Sequence, residues 1–265
     1  MFIKEHMEKV TISKKIFNHY DMKKIMFFDI ETTGFDKGKN SVILISAGWF
    51  VDKSTFFIRQ YFAESLEEEK DVLNVFKKDI TDFNVWCSYN GKAFDEPFIK
   101  RKMKVNNIEF IEPKMHIDLY RIIRPYYKQL GIERCNLKSV EKFLEIERED
   151  NIDGGICVEL YFHFLDNKDF ELRDIIMLHN FEDVLNLPPI FQIVYDIECN
   201  SSLKREDCIT KKQLKYLNYL LRKNKITIDE DIERISRKAA SRIISCILKG
   251  KIDECEFKKI INNSY

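Results

Sequence analysis

Apolar residues follow two periodicities along this chain, and the alternation between them outlines an architecture. Residues 25–28 (Ile-Met-Phe-Phe) are a continuous apolar run, followed by Asp29-Ile30-Glu31-Thr32 and a turn at Gly34. That is the pattern of a central strand buried on both faces. Val42–Asp52 and Thr55–Phe62 are β-branched and aromatic runs separated by Lys53-Ser54, which predicts a hairpin. Three strands so closely spaced pair antiparallel. Helical spacing then takes over in Leu66, Leu73, Phe76, Ile80 and Phe83, behind the capping-box pair Ser65 and Glu68. Val85–Tyr89 predicts a further strand that stops at Asn90-Gly91. A helix from Asp95 to about Lys104 follows, with Pro97 tolerated in its first turn, and then a strand at 116–119.

Beyond that point helical segments are expected at 120–123, 137–144 and 158–165, with a polar loop at 147–155. In the segment from Phe170 to Leu187, Leu172, Ile175, Ile176, His179, Asp183 and Leu187 share one helical stripe, and Pro188-Pro189 breaks it. His179 and Asp183 are therefore expected to face the sheet. The whole series predicts an α/β fold: a mixed five-stranded sheet, its first three strands antiparallel, flanked by helices. After residue 200 a separate unit is expected. Thr210 and Gln213 form a capping box for a helix carrying Leu214, Leu217 and Leu221, and Ser236 opens a second helix that ends at Gly250. The expected organisation is an N-terminal extension (1–23), a main domain (24–196) and a small basic helical module (201–265).

Charge sharpens this division. Net charge is zero over 265 residues, but residues 201–265 hold 16 Lys/Arg against 9 Asp/Glu, leaving 28 against 35 in the rest. An acidic body with a basic tail suits a protein that holds cations in one place and a polyanion in another. Lys211, Lys212, Lys215, Arg222, Lys223 and Lys225 form the densest basic group, which fits either a nucleic-acid contact or plain solubility. Seven cysteines without a Cys-x-x-Cys pair, and no apolar leader, read as free thiols in a cytoplasmic protein. They also argue against zinc. No window has the length and apolarity of a membrane span.

The candidate chemistry starts from Asp29 and Glu31. Two residues apart on a strand, they project to the same face, where two buried like charges are costly unless a cation joins them. Asp95 follows the Asn90-Gly91 turn and Asp183 lies on the last helix, so a mixed α/β domain can bring all four to one end of the sheet. Hard divalent cations such as Mg²⁺ or Mn²⁺ take carboxylate oxygens, and two such ions about 4 Å apart clamp a phosphodiester displacement. His179, one helical turn before Asp183, is placed to deprotonate a water. Two of these also have an ordinary reading, Asp95 as a helix N-terminal acid and His179 as a core histidine, whereas Asp183 on an apolar stripe is harder to explain that way. Candidate substrate contacts are Thr32, Asn90, Tyr89 and Phe94, the aromatics by stacking on a base or equally by packing in the core.

DIETTGF (29–35), YNGKAFDEPF (89–98) and HNFED (179–183), in this order, resemble the three motifs of the DEDD, or DnaQ-like, 3′–5′ exonucleases. YNGKAFDEPFIKRK, HIDLYRIIR, the Asp-Gly-Gly at 153–155 and HNFEDVLNLP are similar to the YprB-like branch of the ribonuclease H-like proteins. The resemblance spans residues 24–196. It implies a ribonuclease H-like fold in which Asp29, Glu31, Asp95 and Asp183 hold two Mg²⁺ or Mn²⁺ ions, with His179 as general base and Glu31 orienting the water. The implied activity is release of 5′-mononucleotides from single-stranded DNA or RNA. One departure is visible: the subgroup with a histidine base spaces it five residues from the last aspartate, whereas here the gap is four. A non-catalytic nucleic-acid-binding scaffold and an internally cutting nuclease remain the alternatives, and His116 and Asp118 are expected to hydrogen-bond locally.

Overall fold

The computed structural model describes residues 1–228 and 231–262. Elements run in the order β1 (Phe2–Lys9), α1 (Lys14–His19), β2 (Ile25–Thr32), β3 (Val42–Phe50), β4 (Thr55–Phe62), α2 (Glu69–Ile80), β5 (Val85–Ser88) and α3 (Asp95–Val105). Then come β6 (Met115–Asp118), α4 (Leu119–Ile123), α5 (Leu137–Phe143), α6 (Gly154–Asn167), α7 (Phe170–Leu185), α8 (Leu187–Cys199), α9 (Lys211–Asn224), α10 (Arg237–Leu248) and α11 (Glu254–Asn262). They divide into two compact units, Met1–Tyr120 with Asn136–Tyr195, and Arg121–Cys135 with Asp196–Tyr265.

The first unit holds one mixed sheet of six strands in the order β1-β4-β3-β2-β5-β6. As the spacing predicts, β2, β3 and β4 are an antiparallel series, while β5 joins β2 and β6 joins β5 in parallel. The pattern along the chain predicts five strands; the sixth is β1, which pairs antiparallel with β4 from Phe2↔Phe62 to Lys9↔Thr55. Its charged sequence, FIKEHMEK, lacks apolar alternation because it lies at the sheet edge, where charge blunts further pairing.

Both sheet faces are covered. Met26, Phe28 and Ile30 of β2 pack in a core with Val72, Leu73 and Phe76 of α2 and Phe98, Ile99 and Met103 of α3. On the opposite face Ile43, Leu44 and Phe62 pack against Cys157, Tyr161 and Phe164 of α6 and Ile176 and Met177 of α7. Two local expectations change. Ser65 makes no side-chain cap; Leu66–Glu68 is a short 3₁₀ turn before α2, and Glu68 instead accepts the Glu64 N–H at 2.7 Å. Pro188-Pro189 ends α7 as expected, but the two prolines then lie in the first turn of α8, where a missing N–H costs nothing.

In the second unit Thr210 and Gln213 form the complete capping box of α9, and Ser236 caps α10 by accepting the Ala239 N–H at 3.0 Å. Leu217, Leu220, Leu221, Ala239, Ala240, Ile243 and Phe257 are its core. All seven cysteines are free thiols. Among the described residues no helix is long and apolar enough to cross a membrane.

Candidate functional site

The alternation of β2 decides what the site can contain. With Met26, Phe28 and Ile30 committed to the α2–α3 core, Asp29 and Glu31 are turned to the face covered by α7. There the Asn180 Nδ2 donates to Asp29 Oδ2 at 2.7 Å, and His179 Nε2 lies 3.7 Å from Glu31 Oε1 and 3.6 Å from Asp183 Oδ2. Oxygens of Asp29, Glu31 and Asp183 all lie within 4.8 Å of one another. Asn180 is itself held from beneath. Ser46 donates to its Oδ1, and Gln60 Nε2 donates to Ser46 Oγ at 2.9 Å and to the Met177 carbonyl at 2.8 Å.

Asp95 reaches the same place because two strands part. Parallel pairing of β2 with β5 stops at Phe27↔Cys87, which frees the next N–H on that side, and Ile30 N donates to Asp95 Oδ1 at 3.3 Å. Crevices at the carboxyl ends of diverging strands are where open α/β sheets place ligands. The connecting turn is tightly specified. Asn90 takes a left-handed φ of 66°, and Asp118 accepts the Asn90 and Lys92 N–H groups at 2.8 and 3.2 Å. A Cβ on Gly91 would collide with the Ser88 hydroxyl and lie 3.0 Å from Asp95 Oδ2, so only glycine fits beside this carboxylate. Ser88 Oγ is 2.7 Å from His116 Nε2, whose Nδ1 is 2.5 Å from Glu96. His116 and Asp118 thus act on the turn.

The cavity these elements enclose measures about 600 Å³, the size of a small-ligand site. Asp29, Glu31, Asp95, His179, Asp183, Tyr89, Asn90 and Phe94 all line it. Thr32 lies outside that lining, its hydroxyl donating to the Gly34 carbonyl at 2.8 Å. Tyr89 packs against Tyr120 and Phe94 against Phe35, the latter 86% exposed at the rim.

Further residues surround the cluster that the sequence reading left unnamed. Asp150 Oδ2 accepts from His179 Nδ1 at 2.7 Å, which turns Nε2 toward the carboxylates. Burial opposes ionisation of Asp150, but the Ile152 N–H and His179 hold it below the ordinary range. The buried Arg148 guanidinium contacts Asp183 Oδ1 at 2.7 Å, Glu141 Oε1 at 2.9 Å, Asp150 Oδ2 at 3.1 Å and Glu182 Oε2 at 3.4 Å. Glu182 accepts the N–H groups of Glu149 and Asp150, both at 2.9 Å, fastening this loop to α7. The one visible signal for these residues is a lone arginine inside the acidic run 145–150; their partners lie some thirty residues away.

Charge within the cleft is unbalanced. Burial, reinforced by the mutual repulsion of Asp29, Glu31, Asp95 and Asp183, pushes Asp29 and Glu31 well above the carboxylate range. Asp95 rises to about 7, chiefly by burial and also by the charges of Asp118 and Asp183, against the Ile30 N–H. Converging oxygens short of positive charge are the donor set of a hard divalent cation. Cys157 also approaches Glu31 and His179, and burial holds its thiol well above the ordinary range. The raised pKa values mean that Asp29, Glu31 and Asp95 together bind more protons in the folded than in the unfolded chain between about pH 4 and 7. In EDTA this cluster's contribution to stability is therefore expected to fall as pH rises through that window. Thermal melts at pH 5 and 8 check this, and added Mn²⁺ should recover most of the loss at pH 8; a metal-free melting temperature that rises across the window would contradict it.

A mixed sheet with an acidic cleft at the parting of its parallel strands defines a ribonuclease H-like protein. Residues 26–195 match the RNase_H superfamily profile, and the chain belongs to that superfamily. It is 30% identical over 177 residues to a Bacillus subtilis (strain 168) protein described as "Uncharacterized protein YprB", an alignment covering 65% of this chain. The chain spans only 42% of that relative's length. Among solved structures it is similar to the family B DNA polymerase of the hyperthermophilic archaeon Pyrobaculum calidifontis, with a TM-score of 0.53 and 17% identity over 64% of this chain and 24% of the polymerase. That likeness is one of fold.

Proposed function

We propose that this protein is a divalent-metal-dependent 3′–5′ exonuclease of the DEDD type, releasing 5′-mononucleotides from single-stranded nucleic acid. The observation that carries this reading is the placement of His179 Nε2 at 3.7 Å from Glu31 and 3.6 Å from Asp183, inside the cluster those residues form with Asp29. Asp29, Glu31, Asp95 and Asp183 would hold two Mg²⁺ or Mn²⁺ ions, whose Lewis acidity neutralises charge at the scissile phosphate.

The chain's own residues supply the rest. Asp150 fixes the His179 tautomer with the proton on Nδ1, so Nε2 carries the lone pair that takes a proton from the attacking water. The same carboxylate stabilises the imidazolium that results, as an acid partner does in other histidine bases. Glu31, 3.7 Å from Nε2, orients the water. Arg148 engages Asp183 Oδ1, while Oδ2 is the oxygen directed to His179. The four-residue gap between His179 and Asp183 serves this arrangement, since residues one helical turn apart share a face. Tyr89 and Phe94 on the cavity wall offer aromatic surface to the terminal base, and Asn90 a polar contact.

The test uses purified protein, Mn²⁺ and single strands of DNA and RNA, linear with a 5′ label and circular with an internal label. Linear strands should shorten one nucleotide at a time from the 3′ end while circles survive. Cut circles would reassign the protein as an endonuclease, and tight binding without turnover under any divalent metal would make it a binding scaffold.

A further inference from the structure

Away from the cleft, the most unusual surface in the molecule is the outer side of α9. Its sequence, KKQLKYLNYLLRKN, carries five basic side chains and no acidic one. Leu217, Leu220 and Leu221 turn inward to the core of the second unit. At 3.6 residues per turn Lys212, Tyr216, Tyr219 and Lys223 share a stripe turned away from that core, with Lys215 and Arg222 along one side of it. Tyr216 and Tyr219 are 44% and 56% exposed. Their rings stack on each other, 6.4 Å between centroids and 17° between planes, and Lys223 Nζ lies 6.0 Å from the Tyr219 centroid. Among the described residues, no carboxylate pairs with Lys212, Lys215, Arg222 or Lys223.

A face kept only for solubility has no need of two parallel tyrosine rings in water. A protein-docking face is ordinarily depleted of lysine. Flat aromatic rings in line with unpaired cations are, however, what a single strand needs: a π-surface for its bases and positive charge for its phosphates. A duplex, whose bases are already stacked, has no use for the rings. The helix matches the polyanion in charge and the unpaired base in shape.

We propose that α9 is a single-strand-binding surface, with Tyr216 and Tyr219 as the stacking platform and Lys212, Lys215, Arg222 and Lys223 as phosphate contacts. It lies on the second unit and requires no metal. It shares with the proposed nuclease only the premise that the chain meets nucleic acid. The experiment is fluorescence anisotropy of the full chain with labelled oligothymidylate and a matched duplex, in EDTA to prevent hydrolysis. Tyr216→Ala/Tyr219→Ala should weaken single-strand binding about tenfold or more, with duplex binding little changed. Tyr216→Phe/Tyr219→Phe, which keeps the rings, should retain affinity. Lys212→Ala/Lys215→Ala should reduce the slope of log affinity against log salt by roughly 1.4. Both tyrosines are exposed, so melting temperatures should stay near the parent's and separate a binding defect from unfolding. Equal single-strand affinity of the parent and the double alanine variant would overturn the proposal, as would a parent that binds duplex and single strand alike or neither. Loss of hydrolysis with this pattern intact would instead count against the nuclease reading alone.

Discussion

Replacing Asp29 with asparagine is expected to reduce oligonucleotide hydrolysis in Mn²⁺ by about a thousandfold, roughly 4 kcal/mol of transition-state stabilisation, while leaving the fold intact. The substitution keeps the shape of the side chain and an acceptor for Asn180 Nδ2, at 2.7 Å in the parent. It removes one negative charge from a cluster in which Asp29, Glu31, Asp95 and Asp183 repel one another. Two measurements should therefore move apart. Single-turnover hydrolysis falls steeply, whereas the melting temperature in EDTA at pH 8 stays level or rises, because a source of repulsion has gone. The Mn²⁺-induced gain in melting temperature should shrink as well. Hydrolysis within tenfold of the parent would sink the assignment of Asp29 as a metal ligand.

Arg148 calls for the opposite outcome. Its guanidinium is buried among Glu141, Asp150, Glu182 and Asp183, and it also donates to the His179 carbonyl at 3.1 Å. Arg148→Met fills similar volume but strands four carboxylates without their shared cation. Removing one partner from a buried charge cluster typically costs about 3–5 kcal/mol. For a domain of this size that corresponds to roughly 6–20 °C in melting temperature. Urea titration with both unfolding arms resolved provides the free energy directly. A loss below about 1 kcal/mol would mean that the cluster is screened or protonated and that Arg148 is not its keystone. Asp29 and Arg148 thus separate two roles that the cleft combines: one carboxylate whose removal relieves the apo fold, one cation whose removal undermines it.

Much of the cleft could be read from the chain because each element reports its own face. Period-two alternation placed Asp29 and Glu31 together, and a helical stripe placed His179 and Asp183 together, since both rules depend only on local geometry. Asp95 was accessible through the Asn90-Gly91 turn. Arg148, Asp150 and Glu141 were not, because their meaning lies in pairings across 35, 29 and 45 residues, with Asp183, His179 and Asn186. In the chain Arg148 and Asp150 belong to a polar stretch that looks like any solvated loop, and Glu141 to a short helix whose charged residues look equally ordinary. Strand β1 was hidden for a related reason. An edge strand with Lys4, Glu5, Glu8 and Lys9 carries none of the apolar alternation that marks a central one, and its evidence is its partner β4. The tyrosine-bearing turn of α9 was legible as helix but not as surface, since the stacking of Tyr216 on Tyr219 depends on how the two side chains turn.

The loop at 148–150 has no regular secondary structure, yet two of its backbone N–H groups, those of Glu149 and Asp150, end on the Glu182 side chain of α7, and the Arg148 guanidinium donates to the His179 carbonyl and to Asp183. Local contacts, Arg148 to Glu141 and the Ile152 N–H to Asp150, shape this segment, and the bonds to Glu182 and His179 fasten it to the middle of α7. Backbone exchange at Glu149 and Asp150 is then expected to follow release of the Glu182 carboxylate, so a side chain of α7 sets how firmly the histidine's acid partner is held at the site.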